Sequence, residues 1–267
     1  MRSLLSSLDR LLAPAPEPVR VGWLKDWTYA HRGLHAAGQA GGGAVENSPA
    51  AFGAAIAAGF GIECDIQRSR DGEAMVFHDW DFQRLLGRGD RGDALDAAEW
   101  RRLRYAGQDD GPFALADLLA QVAGRVPLLI EVKSRAGYHV EASCERVVEA
   151  LAGYAGQHAV MSFDPRVAHW LRKHAPQTLR GLVMCQDKGH DARIGVDRNL
   201  ALWMARPDFI AFDIRSLPEP FVTEQRLRGL PVLTWTVKTA EQRATARSFA
   251  DAAIAEGPGL TEGTRIA

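Results

Sequence analysis

The sequence predicts an α/β fold, a (β/α)8 TIM barrel with a small insertion after the second strand. Two patterns predict it: short apolar segments typical of buried strands recur along the chain, and segments with helical spacing of apolar residues separate them. A length of 267 residues also suits a single barrel of this class. The eight candidate strands are residues 27–30, 61–67, 127–132, 159–162, 180–184, 209–213, 231–236 and 252–255.

Each candidate strand except the last is followed by a candidate helix, and this alternation is typical of parallel sheets. An open, doubly wound sheet is the alternative arrangement. It is disfavoured because the turn after the first strand reads HRGLHAAG, which lacks the GxGxxG phosphate loop of that fold. The candidate helices are residues 48–58, 115–123, 139–152, 165–174, 193–204, 220–228 and 240–249.

One region interrupts the alternation. A short strand-like segment at 74–77 is followed by a stretch rich in charges and glycines, and we predict a small insertion over about residues 79–112. Residues 27–267 are then predicted to form one barrel domain, preceded by an N-terminal helix and extension at 1–26. The glycine-rich AAGQAGGG segment that begins at Ala36 is predicted to be a flexible loop.

The N-terminal extension contains leucines at helical spacing. Asp9 and Arg10 interrupt its apolar residues, so it lacks the continuous apolar core of a signal peptide. We expect a short helix docked on the domain; a helix that weakly contacts a membrane surface or pairs with a second chain is the alternative. The leucines are Leu4, Leu5, Leu8, Leu11 and Leu12.

Composition excludes several classes of protein. Hydrophobic residues make up 46% and charged residues 24%, which is typical of a globular chain. The formal net charge of -1 gives no electrostatic reason to expect nucleic acid as a partner, and no apolar run is long enough for a transmembrane helix. Three cysteines cannot all pair, so we expect reduced thiols and a cytoplasmic location. The oligomeric state stays open.

The second candidate strand carries two carboxylates on one face. Side chains alternate along a strand, so Glu63 and Asp65 point one way and Cys64 the other. Ile62 and Ile66 share the face of Cys64, which makes that face the apolar one that packs on helices. The carboxylates then point into the barrel, where ionised groups are costly unless they are paired. Mg²⁺ or Ca²⁺ would offset that cost; a role as hydrogen-bond acceptors at the barrel mouth is the alternative.

The third candidate strand repeats the pattern in the sequence PLLIEVKSR. Glu131 and Lys133 share one face of this strand. Glu131 can therefore complete a site of three carboxylates, and Lys133 can reach an anionic substrate bound to the cation. The alternative is that Glu131 and Lys133 form only an internal ion pair. Cysteine spacing typical of structural zinc sites is absent from the sequence.

Two histidines fall at strand ends, where the catalytic face of a barrel should lie. His31 and His78 there could serve as a general acid and a general base. Arg32 follows His31, and its planar guanidinium suits phosphate oxygens. His35 is ambiguous because it lies so near His31. Surface roles are expected for the histidines that fall in helices or connections, namely His139, His158, His169, His174 and His190.

Several ordered segments together resemble one enzyme family. They are AHRG, ENSPAAFGAAIAAGFGIECDIQRSRDGEAMVFHD, LIEVKS, SFDP and VLTWTV. In this order and at these spacings they are similar to the glycerophosphodiester phosphodiesterases, from about Thr28 to the C-terminus. The resemblance implies a TIM barrel, a divalent cation, and hydrolysis of a small-molecule glycerophosphodiester to glycerol 3-phosphate and an alcohol.

The resemblance also implies a role for individual residues. Metal ligands would be Glu63, Asp65 and Glu131, and the acid–base pair would be His31 and His78. Further residues would bind phosphate (Arg32 and Lys133), hold the site in shape (Glu46 and Asn47) or line the pocket (Trp235).

Three other functions stay open as alternatives. A phospholipase D-like or cyclising phospholipase of the same superfamily would have a larger apolar rim at the mouth, where the sequence offers only Trp80 and Phe82. A non-catalytic phosphoester-binding barrel would be expected to lack a histidine or a ligand. A carbohydrate- or enolate-processing barrel would not need the adjacent His–Arg pair. The leaving alcohol, the choice between Mg²⁺ and Ca²⁺, and the assignment of acid and base are also undecided.

Overall fold

A computed structural model of the chain describes residues 4–36, 43–185 and 198–260. Within these residues the fold is a TIM barrel, in which eight parallel strands form a closed sheet and helices alternate with the strands along the chain. Two short antiparallel strands extend the sheet. The strands are β1 (Tyr29–His31), β2 (Gly61–Arg68), β3 (Ala74–Val76), β4 (Phe113–Ala114), β5 (Leu128–Val132), β6 (His158–Ser162), β7 (Leu179–Met184), β8 (Phe209–Asp213), β9 (Val232–Val237) and β10 (Ala252–Ala255).

Hydrogen bonds link the barrel strands in the order β1-β10-β9-β8-β7-β6-β5-β2, and a pairing of β1 with β2 closes the sheet. Strand β3 pairs antiparallel with the end of β2, and β4 pairs antiparallel with β3. The predicted fold class is therefore confirmed. Strands β8 and β10 have the predicted bounds, and the other predicted strands differ by one or two residues at an end; β4 was not predicted.

Three of the helices begin with the same N-terminal motif, a polar N-cap residue followed by proline. The side chains of Ser48, Asp164 and Glu219 accept hydrogen bonds from the first helical turn, and a proline with a preset φ angle follows each. The helices are α1 (Leu4–Leu12), α2 (Pro18–Val21), α3 (Pro49–Ala57), α4 (Gln83–Leu86), α5 (Ala97–Trp100), α6 (Leu115–Val122), α7 (Val140–Leu151), α8 (Pro165–His174), α9 (Arg198–Ala205), α10 (Pro220–Leu227) and α11 (Ala240–Phe249).

Some predictions fall partly outside the described residues. They concern most of the loop predicted from Ala36, the start of the helix predicted at 193–204, and His190.

Contacts divide the chain into two compact units. Unit 1 has a core that includes Leu182, Phe212 and Val232 from three of the barrel strands. Unit 2 contains every predicted site residue except Trp235. Unit 1 comprises the described parts of residues 1–29, 134–138 and 159–267, and unit 2 comprises those of residues 30–133 and 139–158.

The region predicted as an insertion contributes to a small hydrophobic cluster in unit 2, called the insertion cluster below, which includes Phe77, Phe82 and Trp100. Phe82 and Trp100 are fully buried there, with ring centroids 4.6 Å apart in an edge-to-face arrangement. The Trp100 indole N–H donates to the Gly92 carbonyl at 2.9 Å, so its polar atom is satisfied. The expectation that Phe82 belongs to an apolar rim at the mouth is wrong, because its ring packs against Phe77 and Trp100 instead.

Helix α1 is docked within unit 1 through a buried carboxylate. Asp9 is 1% exposed and accepts hydrogen bonds from Asn199, Trp203 and Gln225 at 2.8–3.1 Å. A buried carboxylate with three donors is satisfied, so this contact fixes the helix in place. Across the described ranges, no helix has both the length and the apolar character needed to cross a bilayer. The division into an N-terminal extension and a single barrel domain stays a prediction.

Candidate active site

Three carboxylates converge in unit 2. Asp65 on β2 lies directly opposite Glu131 on β5 in the parallel ladder, and Glu63 is two residues before Asp65 on the same face. Glu63 and Asp65 are 2% exposed and Glu131 is 8% exposed. One carboxylate oxygen from each residue lies within 4.8 Å of the others. The strand register therefore brings together the three residues that the sequence singles out as ligands.

The spacing of these oxygens suits a single hard cation. Oxygens bonded to Mg²⁺ or Ca²⁺ at about 2.0–2.6 Å lie at most about 4–5 Å apart, and the three carboxylates satisfy that limit. All three donors are carboxylates, the ligand type that these cations prefer. Glu63, Asp65 and Glu131 could thus hold a divalent cation.

The electrostatics of the cluster also favour positive charge. Burial, together with the carboxylates of Asp65 and Glu131, raises the pKa of Glu63 well above its usual value. Burial acts in the same direction on Asp65, but Lys133, His78 and other nearby cations outweigh it and lower the pKa of Asp65. The surrounding protein groups therefore stabilise the ionised form of Asp65 but not that of Glu63.

Lys133 lies against two members of the cluster. Its ammonium group donates to Glu131 Oε1 at 2.9 Å and lies 3.4 Å from Asp65 Oδ1. Burial favours the neutral amine, but Glu131 and Asp65 outweigh that effect and raise the pKa of Lys133. Glu131 and Lys133 thus form an ion pair, and this contact does not exclude one between Lys133 and an anionic substrate.

Arg32 follows β1 in a left-handed backbone conformation, with φ of 56°. Its backbone N–H donates to Glu63 Oε2 at 3.1 Å, and its guanidinium donates to Glu46 Oε1 at 2.8 Å. The guanidinium Nε also lies 3.1 Å from Asp65 Oδ2. The two groups form an ion pair there, but the angle at Nε does not fit a hydrogen bond. At the next residue, Gly33, a side chain would approach Ala51 to 2.9 Å, so the turn needs glycine there.

Asn47 joins this turn to the cluster. Its side-chain amide donates to Asp65 Oδ2 at 2.9 Å, and its carbonyl oxygen accepts from the Asp65 backbone N–H at 3.2 Å. Its own backbone N–H donates to the Arg32 carbonyl at 2.9 Å. Asn47 is fully buried and has φ of 54°, a conformation that asparagine tolerates better than most residues.

The two predicted catalytic histidines differ in their surroundings. His31 ends β1, and its Nε2 lies 4.0 Å from Glu63 Oε2. His78 follows β3, and its Nδ1 lies 2.7 Å from Asp79 Oδ1. An ionised carboxylate can only accept hydrogen bonds, so this contact with Asp79 favours the tautomer in which Nδ1 of His78 carries the proton. Both imidazoles are partly exposed, at 14% and 31%.

Three residues in this part of unit 2 were not predicted from the sequence. Asp79 contacts His78, Gln67 donates to the carbonyls of His78 and Asp79, and Arg84 bridges Asp79 and Glu46. Gln67 continues the alternation of Glu63 and Asp65, and Asp79 adjoins a candidate histidine, so their positions offered a signal. Arg84 offered none, because the same segment contains other arginines beside aspartates.

Trp235 lies on β9 in unit 1. Its indole N–H donates to the Ala211 carbonyl at 3.0 Å, and its ring meets Phe163 edge-to-face with centroids 5.3 Å apart. Its proposed role in the pocket stays a prediction. Among the histidines assigned to helices or connections, His158 is instead the first residue of β6.

The sequence model of the glycerophosphoryl diester phosphodiesterase family matches residues 31–255 of the chain. The chain belongs to this family. The protein is thus an enzyme, a phosphoric diester hydrolase, and the match runs from the first candidate histidine to the end of β10. Among curated proteins, none matches the chain.

Solved structures give the same fold. A glycerophosphoryl diester phosphodiesterase of Silicibacter pomeroyi is 23% identical with a TM-score of 0.75, and the alignment covers 90% of this chain and 94% of that one. A glycerophosphodiester phosphodiesterase of Thermotoga maritima is 23% identical with a TM-score of 0.68, covering 85% and 93%. An Oleispira antarctica phosphodiesterase in complex with the product sn-glycerol-3-phosphate is 20% identical with a TM-score of 0.73, covering 87% and 94%.

Proposed function

We propose that this phosphodiesterase hydrolyses glycerophosphodiesters to glycerol 3-phosphate and an alcohol, using a divalent cation held by Glu63, Asp65 and Glu131. The cation, Mg²⁺ or Ca²⁺, would supply positive charge against the oxygens of the phosphoryl group. The observation that carries the proposal is the convergence of three buried carboxylates within reach of one cation, inside a chain of this family. The product held by the Oleispira antarctica relative supports glycerol 3-phosphate as one product here.

Arg32 and Lys133 would orient the substrate. Both are cations that already lie against the carboxylate cluster, so a phosphodiester bound there would meet positive charge on more than one side. The planar guanidinium of Arg32 is suited to two phosphoryl oxygens, and the ammonium of Lys133 to one. Glu46 and Asn47 would keep Arg32 and Asp65 in place through the hydrogen bonds described above.

His31 and His78 would transfer the protons. As a hydroxyl attacks phosphorus its proton passes to one imidazole, while the bond from phosphorus to the departing alcohol breaks and the other imidazole protonates that oxygen. The attacking hydroxyl is that of water or of the substrate's glycerol; in the second case water must open the resulting cyclic ester. The hydrogen bond from His78 Nδ1 to Asp79 would leave Nε2 as the atom that transfers the proton.

The burial of Phe82 bears on the competing phospholipase-like activity. That activity would call for a large apolar rim, and Phe82 instead packs inside the insertion cluster. A soluble glycerophosphodiester is therefore the substrate class we propose.

The test is release of glycerol 3-phosphate from several glycerophosphodiesters, with and without chelator. We expect release that needs the cation, and loss of release in Glu131→Gln. Asp208→Asn is the matched control, since Asp208 is a buried carboxylate that pairs with Arg180 and does not belong to the cluster. Undiminished release from protein shown by elemental analysis to be metal-free would refute the cation, and no release under any metal would refute the substrate.

A further inference from the structure

Arg84 bridges two carboxylates in unit 2. Its guanidinium donates to Asp79 Oδ2 at 2.6 Å through Nε, and to both oxygens of Glu46 at 2.6 and 2.9 Å through its two terminal nitrogens. Charge-assisted contacts in a fork of this kind are stronger and more directional than single ones. Arg84 thus holds Glu46 and Asp79 at a fixed separation although they are 33 residues apart in sequence (79 minus 46).

Each carboxylate held by Arg84 contacts a residue of the proposed machinery. Glu46 accepts from the guanidinium of Arg32 at 2.8 Å, and Asp79 contacts His78 Nδ1 at 2.7 Å. These contacts form a continuous row of hydrogen-bonded side chains, in the order Arg32, Glu46, Arg84, Asp79, His78. Arg84 is the central member, and it is the link between a phosphate-binding arginine and a proton-transferring histidine.

The backbone that carries Arg84 is held by the insertion cluster. Arg84 belongs to the single-turn helix α4, which follows the fully buried ring of Phe82. The Phe82 carbonyl accepts from the Leu86 N–H at 2.9 Å, and Gly87 ends the turn with φ of 68°. The guanidinium is therefore anchored to a packed element rather than to a free loop.

Two neighbouring arginines, Arg88 and Arg91, form side-chain ion pairs with aspartates close to them in sequence. Arg88 pairs with Asp90 and Arg91 pairs with Asp93, in both cases two residues away. Their side chains are 50% and 56% exposed, close to the 47% of Arg84. Arg88 is thus a matched control for Arg84 in residue type, exposure and position.

From this arrangement we infer that Arg84 is a positioning residue of the active site, acting on Arg32 through Glu46 and on His78 through Asp79. The inference rests on the proposed function, because it assigns those two end residues their roles. Without Arg84, Asp79 loses the ion pair that ties it to Glu46, so its carboxylate and the His78 imidazole that it contacts are held less firmly. Glu46 then keeps a single arginine partner and can shift Arg32.

The two ends of the row predict separate kinetic effects. Arg84→Met should lower kcat through His78 and raise KM through Arg32, and outer residues that orient active groups typically contribute about 10–100-fold. Arg84→Lys keeps the charge but cannot donate to three oxygens at once, so it should recover part of the loss. Arg88→Met should leave both constants unchanged.

A double-mutant cycle distinguishes positioning from a general structural effect. In a His78→Ala background, Arg84→Met should no longer lower kcat, while the increase in KM should persist. A spectroscopic readout needs no turnover: in protein with ¹⁵N-labelled histidine, Arg84→Met should shift the Nδ1 signal of His78, and Arg88→Met should not. Thermal unfolding of each variant shows whether the fold is retained, and Arg84→Lys serves if the methionine variant is unstable.

Kinetic constants and His78 signals of Arg84→Met equal to those of Arg88→Met would overturn the inference while leaving the proposed function intact. An equal loss of kcat with and without His78 would overturn it as well, because the effect would not pass through the histidine. If the wild-type protein releases no glycerol 3-phosphate, the proposed function has failed, and the unchanged or changed histidine signal still decides whether Arg84 positions His78.

Discussion

Replacement of Asn47 tests how the turn after β1 supports the carboxylate cluster. Asn47 makes two buried hydrogen bonds with Asp65, one to its ionised side chain at 2.9 Å and one from its backbone N–H at 3.2 Å. A bond to a charged group contributes about 1.5–3 kcal/mol and a neutral one about 0.5–1.5 kcal/mol. Their joint loss should lower the free energy of unfolding by about 2–4.5 kcal/mol.

The left-handed backbone of Asn47, with φ of 54°, adds a second cost for most replacements. Alanine in this conformation is disfavoured by about 1–2 kcal/mol, whereas glycine adopts it freely. Asn47→Ala should therefore destabilise the protein by about 3–6.5 kcal/mol. Asn47→Gly should destabilise it by about 1 kcal/mol less than alanine does. These losses are a large share of the roughly 5–15 kcal/mol that stabilises a typical domain.

Urea unfolding of the metal-free protein, followed by circular dichroism, measures these differences. The wild type and both variants should share one m-value if each unfolds in a single transition. A loss under about 1 kcal/mol in Asn47→Ala would refute the energetic role given to the two hydrogen bonds. An alanine variant as stable as the glycine variant would refute the conformational part.

The remaining predictions concern activity and acid stability. His31→Ala and His78→Ala should each lower kcat by about 10²–10⁴-fold, and the losses should be less than additive in the double variant. Each single variant should lose one limb of the pH–rate profile. A substrate with a nitrophenyl leaving group should rescue only the variant that lacks the general acid. Asp65→Asn should act mainly on metal affinity, so titration with Mg²⁺, Mn²⁺ or Ca²⁺ should partly restore its rate. Trp235→Leu should reduce any preference for glycerophosphocholine over glycerophosphoglycerol by up to about 2 kcal/mol, the upper range of a cation–π contact, as measured by kcat/KM. Burial favours the neutral form of Asp164, but hydrogen bonds from Arg166 and Ser134 outweigh this effect and lower the pKa of Asp164 below the usual 3.8. The ionised carboxylate therefore stabilises the fold above pH 3.8, and this stabilisation is lost as the pH falls through the lowered pKa. Asp164→Asn should thus make the free energy of unfolding depend less steeply on pH in acid.

The barrel could be predicted because its strands follow simple physical patterns. Strands covered on both faces are apolar throughout, so β8 and β10 stand out as short hydrophobic runs between polar connections. The carboxylate cluster was equally accessible, since Glu63 and Asp65 break such a run at alternate positions. Glu131 lies beside them if the two parallel strands pair in a register that places Asp65 opposite Glu131, and β2 and β5 have this register.

The insertion could not be predicted in the same detail, because its contacts join residues that no period relates. Phe82 looks like an exposed aromatic in a charged, glycine-rich stretch, and only the later Trp100 explains its burial. Arg84 is equally inconspicuous beside Arg88 and Arg91. Its partner Glu46 lies before β2 and its partner Asp79 follows β3, so only the folded chain distinguishes it from its neighbours.

The contact between Lys133 and Glu131 on β5 is compatible with both interpretations of these residues, an internal ion pair and part of a cation site. When all three carboxylates are ionised, the two cations Arg32 and Lys133 leave one negative charge among these five groups, which would repel a phosphodiester monoanion. A divalent cation reverses that balance to one positive charge, which matches the substrate. If these groups formed only ion pairs, the numbers of cations and carboxylates would be equal. The carboxylate left without a cation is Glu63, and burial and its acidic neighbours raise the pKa of this residue. In the proposed function, the ion pair of Lys133 is one component of a site whose charge a metal would complete. Glu63→Gln should then improve metal-free stability while weakening metal affinity, a pair of opposite changes that urea unfolding and calorimetric Mg²⁺ titration measure.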